Sequence, residues 1–453
     1  MVARAFRFRI RRAAAFALLL LAICARPAAS EPAFGDSNWV APEWTDQAWY
    51  ESASDTGSNG ADAPGPRVAK PDKDPTGETV LRAPFRLLFL PLRLIARGSE
   101  AAVGWVAPRV SPSTSGHRSP WSLEPIITPD PSLGIGVTRR LNPEGTSRVQ
   151  LSAIYGWHDR RRARVTYSAT RDTALYGFDV SFAYRFRPNT LFYGLGNAST
   201  IDNKSYWLRE EGGLTGTFRY GRAVRHEVRV TAGVSSVSAR QGWNGSPDSR
   251  RVEDVFTPVE VPFLERGSNV YTIGGGFDFA RLNDVRTPKR GIHVRADADQ
   301  IGSIDSSELD YRHYHLEARG YVPAFSDRQS FALRALHDWV DPSSKSEDLP
   351  YYRLPETEGD QRFKGYQVHR FTDRHLVLGE LEYRWWLSNK FYALLNASVG
   401  EVASTASRLR WDDHHESYGL GFRYGYSDRL AGRIDIGKGS EGLVMNFTLQ
   451  DTF

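Results

Sequence analysis

From Trp121 onward the chain alternates apolar and polar residues with a period of two, the signature of strands with one apolar and one polar face. In 176–186, Phe178, Val180, Phe182, Tyr184 and Phe186 share one face, and Asp179, Ser181, Ala183 and Arg185 the other. Val228 and Val230 alternate with Glu227, Arg229 and Thr231. Ile292, Val294, Ala296 and Ala298 alternate with His293, Arg295, Asp297 and Asp299. Leu420, Phe422, Tyr424 and Tyr426 oppose Gly419, Gly421, Arg423 and Gly425. The end repeats the pattern, with Leu443, Met445, Phe447 and Leu449 opposite Val444, Asn446, Thr448 and Gln450.

Sixteen such runs are predicted: 121–128, 133–140, 148–157, 161–170, 176–187, 207–220, 226–239, 268–281, 291–302, 311–324, 329–340, 375–387, 390–403, 417–427, 429–440 and 443–453. The fold class they predict is all-β, a transmembrane antiparallel β-barrel of about sixteen strands. A soluble sandwich also alternates, but it buries its apolar faces against a second sheet. Here many strands are long enough for a membrane, carry charges in mid-strand, and end in Tyr or Trp. An even strand count closes an antiparallel barrel and removes its edges. With the amino terminus in the periplasm, odd-to-even connections face outward. The longest of these is 341–374.

The period of two is absent before Trp121. Residues 1–30 read as a signal peptide. Arg4, Arg7, Arg9, Arg11 and Arg12 precede an apolar run from Ala13 to Cys24, and Ala28-Ala29-Ser30 offers a cleavage site. Cys24 admits a lipoprotein reading, against which bulky Ile23 speaks. Residues 31–78, rich in Pro, Gly, Ser and Asp, predict a disordered periplasmic segment with Trp39, Trp44 and Trp49 as its apolar points. Residues 79–120 predict an amphipathic helical segment and linker. Leu87, Leu88, Leu90, Leu92, Leu94 and Ile95 mix there with Arg86, Arg93 and Arg97, and Pro91 breaks or kinks the helix. Such a helix lies at the membrane's inner face or under the barrel, or packs elsewhere on the chain. The barrel domain is 121–453.

Composition narrows the function. Removing the signal's six arginines from the 58 basic residues leaves 52 against 53 acidic ones, so the net charge of +5 belongs to the signal. That removes the basic face a nucleic-acid partner needs. The single cysteine, Cys24, also lies in the signal, which excludes disulfides, thiolate metal sites and a cysteine nucleophile in the rest. A mean hydropathy of −0.46 is too polar for a helical membrane protein but suits a barrel, in which only alternate residues meet lipid.

Arg362-Phe363-Lys364-Gly365-Tyr366, in the longest connection, resembles the Val-Arg-Gly-Phe/Tyr motif of the bacterial surface antigen superfamily, the BamA- and TamA-like outer-membrane barrels. The stretch HLVLGELEYRWWL, with Glu382-Tyr383-Arg384, follows it in family order. YGLGFRYG, then Arg433-Ile434-Asp435-Ile436-Gly437-Lys438, then a last strand ending in Phe453, complete the resemblance. LFYGLGNAST and RTPKRGIHV fit upstream. The resemblance implies that loop 341–374 folds into the lumen, where the motif arginine pairs with an inward acid, usually Asp in an Asp-Ala-Gly pattern. Here Lys364 holds the arginine position and Ser398 the Asp position. Glu380 or Glu382 then remains as an acceptor for Lys364. The other reading is a plain extracellular loop. Family machines carry POTRA modules before the barrel, and residues 31–120 show none. The resemblance also implies that Phe447, Leu449 and Phe453 form the C-terminal signal by which such barrels are inserted.

Candidate chemistry is sparse. His313 and His315 share a face with Glu317 and Arg319, which reads as a polar lumen wall before a metal site. Asp412-Asp413-His414-His415-Glu416 reads as a solvated loop before a cation site. No Gly-x-Ser-x-Gly elbow or Walker loop occurs. Inward charges such as Arg384, Arg433 and Asp435 suggest salt-bridged packing or a pore lining. The expected protein is therefore no enzyme and has no cofactor. It is exported through the Sec pathway to the outer membrane of a Gram-negative cell, where it is a translocation or assembly pore for protein or lipid. The alternative is a non-transporting structural or surface-interaction barrel. Expected partners are outer-membrane lipid, the assembly machinery during insertion, and a periplasmic partner through 31–107.

Overall fold

The computed structural model describes residues 120–448, without 129–131, 143–145, 157–158, 171–174, 223–225, 243–248, 265, 285–287, 306–308, 344–347, 358–362, 389–390, 411 and 428–429. The signal peptide, the segment 31–78, the helix expected in 79–120, Leu449 and Phe453 lie outside the described residues.

Sixteen strands follow one another in chain order. They are β1 (Trp121–Thr128), β2 (Ser132–Arg140), β3 (Ser147–Gly156), β4 (Arg160–Thr170), β5 (Tyr176–Phe192), β6 (Ser205–Arg222), β7 (His226–Gln241) and β8 (Ser268–Leu282). The second half holds β9 (Gly291–Ser303), β10 (Asp310–Pro323), β11 (Gln329–Pro342), β12 (His375–Ser388), β13 (Phe391–Ala403), β14 (His415–Ser427), β15 (Leu430–Gly439) and β16 (Gly442–Thr448). Each pairs antiparallel with its sequence neighbours in one sheet ordered β1 to β16. Among the described residues the only helices are a turn at Val252–Val255 and three short 3-10 turns. None is long and apolar enough to cross a membrane.

The sheet is curved round on itself. Arg370, between β11 and β12, touches both Ser199, between β5 and β6, and Glu441, between β15 and β16. In a flat sheet ten strand positions would separate the last two by roughly 48 Å, at about 4.8 Å per strand.

Two neighbouring boundaries are corrected. β5 does not stop at 187 but runs on to Phe192, and β6 starts at Ser205. The register shifts between Arg187 and Thr190, so Pro188 sits in a bulge, where a residue without an N–H is tolerated. The two strands stand taller than their pattern announced, and their ends carry Phe192 and Trp207 into the cap described below.

The faces are inverted relative to a soluble protein. Phe182 is 49% exposed, Val230 55%, Leu395 60% and Met445 64%, while Asp179, Glu227, Arg229, Glu317 and Glu382 on the other face are buried. A belt of exposed aliphatic and aromatic side chains this extensive is a surface for hydrocarbon or a partner. The buried face is held by ion pairs. Arg219 contacts Asp179 and lies 3.7 Å from Glu227, and Arg229 contacts Asp278 and reaches Asp297 at 2.6 Å. His313 and His315 stand on this face too, bonded to the two oxygens of Asp338 at 2.6 and 3.4 Å.

The odd-to-even connections meet at one end and build a cap with its own apolar cores. Phe192 and Trp207 pack with Val237, Val252, Val261, Tyr351 and Tyr352. Val270, Ile301, Leu309, Val340, Leu349 and Leu354 form a second cluster. The phenol of Tyr352 donates to the Arg266 carbonyl at 2.8 Å, and burial pushes the Tyr193 phenol above its ordinary range.

Candidate functional site

The site is built where the connection 343–374 returns to the sheet. Phe363, Lys364, Gly365 and Tyr366 form a tight turn, closed by the Tyr366 N–H donating to the Phe363 carbonyl at 3.0 Å. Phe363, Tyr366 and Phe371 pack with Leu336, Leu376, Leu378 and Val402. Tyr366 meets Phe363 and Phe371 at centroid distances of 5.2 and 5.1 Å, and His415 stacks on Phe371 at 4.1 Å. Three apolar anchors thus fix a turn whose remaining members are a cation and a glycine.

Gly365 lies against the sheet itself. A Cβ there would stand 2.6 Å from the Ser417 side chain and 2.7 Å from the Gly439 nitrogen. Gly437 and Gly439 of β15 form the matching seat, with Gly437 under the Lys364 carbonyl and Gly439 under the Tyr366 ring. The same turn is tied to the terminal hairpin. The Tyr366 hydroxyl donates to the Glu416 carbonyl at 3.1 Å and accepts the Ser440 N–H at 3.2 Å. Asn446 of β16 donates to the Lys364 carbonyl at 3.4 Å.

Lys364 supplies the charge. Its Nζ contacts Glu380 and Glu382, neighbours on the buried face of β12. The second oxygen of Glu382 accepts Nε of Arg384 at 2.9 Å and pairs with Nη2 at 2.8 Å. Arg423 lies 3.9 Å from Glu382 and 2.9 Å from Asp435, which also holds Arg433. On the other side Arg334 lies 4.0 Å from Glu380 and contacts Glu317, which Arg319 reaches at 2.9 Å. The network therefore runs from β10 to β15, and Lys364 is the member that the connection contributes. The Cα atoms of residues i and i+2 on one strand face stand about 7 Å apart, and here both carboxylates turn toward the same ammonium. A cation that touches both stabilises them where water is excluded. Breaking such a buried pair costs about 3–5 kcal/mol.

The expected site residues divide as follows. Phe363, Lys364, Gly365, Tyr366, Glu380, Glu382, Arg384, Arg433 and Asp435 come together here. Ser398 does not meet Lys364 but shares a 2.7 Å bond with Ser417. Arg362 lies outside the described residues, as do Leu449 and Phe453, and Phe447 takes part in the β15–β16 ladder. The acidic-histidine stretch is not simply solvated. His415 Nε2 lies 3.1 Å from the Asn197 carbonyl, and His414 Nε2 lies 2.9 Å from Glu416.

Sequence reasoning missed Arg370. Its Nε donates to both Glu441 oxygens at 2.7 and 2.9 Å, and its Nη1 and Nη2 donate to the Ser199 hydroxyl and carbonyl at 2.8 and 2.6 Å. It lies over the rings of Tyr193 and Phe371, 5.3 and 4.6 Å from their centroids. The preceding residue, His369, has φ 58°, a conformation that costs a non-glycine residue about 1–3 kcal/mol. Its N–H donates to the Thr357 carbonyl at 3.0 Å, and its Nδ1 lies 3.0 Å from Glu356. The only sequence signal was an arginine beside an aromatic in the motif loop, six residues after Lys364.

Fold and site define a sixteen-stranded antiparallel barrel whose longest connection is bound by charge to its buried face. The solved structure of BamA from Haemophilus ducreyi lacking POTRA domains 1–3 has the same fold. The TM-score is 0.54 and the identity 13%, over 73% of this chain and 69% of that one. CdiB from Acinetobacter baumannii gives 0.44 at 11% identity, over 70% of this chain and 56% of that chain. CdiB from Escherichia coli gives 0.45 at 13%, over 74% of this chain and 63% of its own. No protein family and no curated protein matches the sequence.

Proposed function

We propose that this chain is an integral outer-membrane barrel of the surface antigen superfamily, acting as a translocation or assembly pore for protein or lipid. The connection 341–374 holds the pore closed. The observation that carries the reading is the burial of Lys364 against Glu380 and Glu382, with Gly365 seated on β15. A connection that only faced solvent would have no use for a buried cation. The exposed apolar belt supports a lipid-facing surface, and the fold shared with BamA supports the class. On this reading the protein is not an enzyme, reaches the membrane through Sec export, and is inserted by the assembly machinery through Phe447, Leu449 and Phe453. Residues 31–107 offer a periplasmic partner site.

Planar-bilayer conductance of the purified full chain tests it. Wild type is expected to conduct rarely, and deletion of 358–370 or Lys364→Ala to open stable channels. Equal conductance of all three sinks the gating role. One observation favours the second reading, a non-transporting surface barrel. The cap carries two apolar cores of its own, more than a gate needs. Silence of every variant, including the deletion, would decide for it.

A further inference from the structure

Two histidines meet on the outside of the barrel at the feet of the long connection. His337 is on β11, the strand that enters it, and His375 opens β12, the strand that leaves it. Both project to the outward face. His337 alternates with buried Leu336 and Asp338, and His375 precedes buried Leu376. Nε2 of His337 lies 3.3 Å from Nδ1 of His375, with ring centroids 5.6 Å apart and planes 28° from parallel. Trp339, the ladder partner of His375, stacks on His337 at 4.3 Å, and Tyr314 stacks on Trp339 at 5.0 Å. The pair is thus held by rings rather than swinging free. Asp341 is the next outward position on β11 after Trp339 and is exposed.

The spacing has a chemical meaning. Two metal–nitrogen bonds of about 2.0–2.1 Å at a tetrahedral angle place their nitrogens about 3.3–3.4 Å apart. We propose that His337 and His375 bind one divalent transition-metal ion of the Zn2+ and Cu2+ class, with water completing the coordination. The one proton between the two rings of the metal-free pair then moves to the far nitrogen of the ring that carries it, Nδ1 of His337 or Nε2 of His375, so that both near nitrogens offer a lone pair. Imidazole pairs favour these ions over Mg2+ and Ca2+. The bound ion would staple β11 to β12 outside their ladder, fixing the two strands that carry the Lys364 turn.

The test uses the full chain folded in detergent and titrated with ZnCl2 or CuCl2 alone, with folding checked by heat-modifiable gel migration. Calorimetry is expected to give one saturable site. His337→Gln and His375→Gln should each weaken it at least tenfold, while His226→Gln at the far end of β7 leaves it unchanged. Electron paramagnetic resonance of the Cu2+-loaded wild type should show two coupled nitrogens. Absence of saturable binding overturns the proposal, and so does unchanged affinity in both glutamine variants. Should a variant fail to fold, absence of nitrogen coupling in the wild-type spectrum overturns it alone.

Discussion

Arg370 and Glu441 join the longest connection to the turn of the terminal hairpin, Nη2 to Oε1 at 2.5 Å, with Nε sharing both carboxylate oxygens. The same guanidinium holds Ser199 on the far side of the curved sheet. One side chain therefore spans what the strand order keeps ten positions apart. Such contacts add to the β14–β15 ladder in positioning the hairpin β15–β16.

Arg370→Ala is expected to lower unfolding stability by about 2–4 kcal/mol, since it strands a mostly buried carboxylate and two further hydrogen bonds. Arg370→Lys should recover less than half, because an ammonium cannot reproduce the fork. Hydrogen exchange at 440–448 should rise in both variants. Unchanged exchange there would show that the hairpin is held by its ladder alone.

Lys364 and its two acids should be strongly coupled. Lys364→Met leaves Glu380 and Glu382 facing each other and is expected to cost about 3–5 kcal/mol. Adding Glu380→Gln to it should restore part of that loss, giving a coupling of about 1–3 kcal/mol in a double-mutant cycle read by urea unfolding. Additive losses would mean that Lys364 and Glu380 act independently.

Gly365→Ala should expel the turn without altering any charge. The added methyl meets Ser417 and the backbone of Gly439 at 2.6–2.7 Å, and backbone cannot step aside cheaply. Limited trypsin digestion should then cut after Lys364 or Arg370, sites shielded in the wild type. Identical digestion patterns would contradict the seating of Gly365 on β15.

Asp373, in the same connection, titrates above the usual carboxylate range because burial disfavours its charge, while the Arg374 N–H donates to it at 2.7 Å. With the folded value above the unfolded one, the native state binds more protons between the two. Stability therefore falls as pH rises through that window. Asp373→Asn keeps an acceptor for the N–H and removes the buried charge. It should raise the melting temperature at pH 7 and leave it unchanged at pH 3. A lower melting temperature at pH 7 would mean that the carboxylate has a partner worth more than its burial costs.

The strands and their faces were legible because a strand's periodicity is local. Each side chain's face follows from its parity, so Asp179, Arg229, Glu382 and Asp435 could be placed inward and Phe182, Leu420 and Met445 outward from sequence alone. The overrun of β5 was not legible, because Pro188 stops a regular ladder but not a bulged one. In the motif order Ser398 holds the acid's position, which leaves Glu380 or Glu382 as the acceptor for Lys364. The structure gives Lys364 to Glu380 and Glu382, one strand earlier. The sequence order of a loop does not state how deep its turn is seated.

By itself the sequence determined an all-β chain of sixteen alternating strands with charges on one face and an apolar belt on the other. That much needs only the two-residue repeat of the pleat and the sign of each side chain's affinity for water. Tertiary structure alone decided which connection reaches which wall. Arg370 finds Ser199 and Glu441 only once the sheet has curved, Lys364 finds β12 once its turn is seated, and His337 finds His375 through the register of the β11–β12 ladder. These contacts cross long stretches of chain without any repeat, so they follow from strand register and curvature and from nothing written locally.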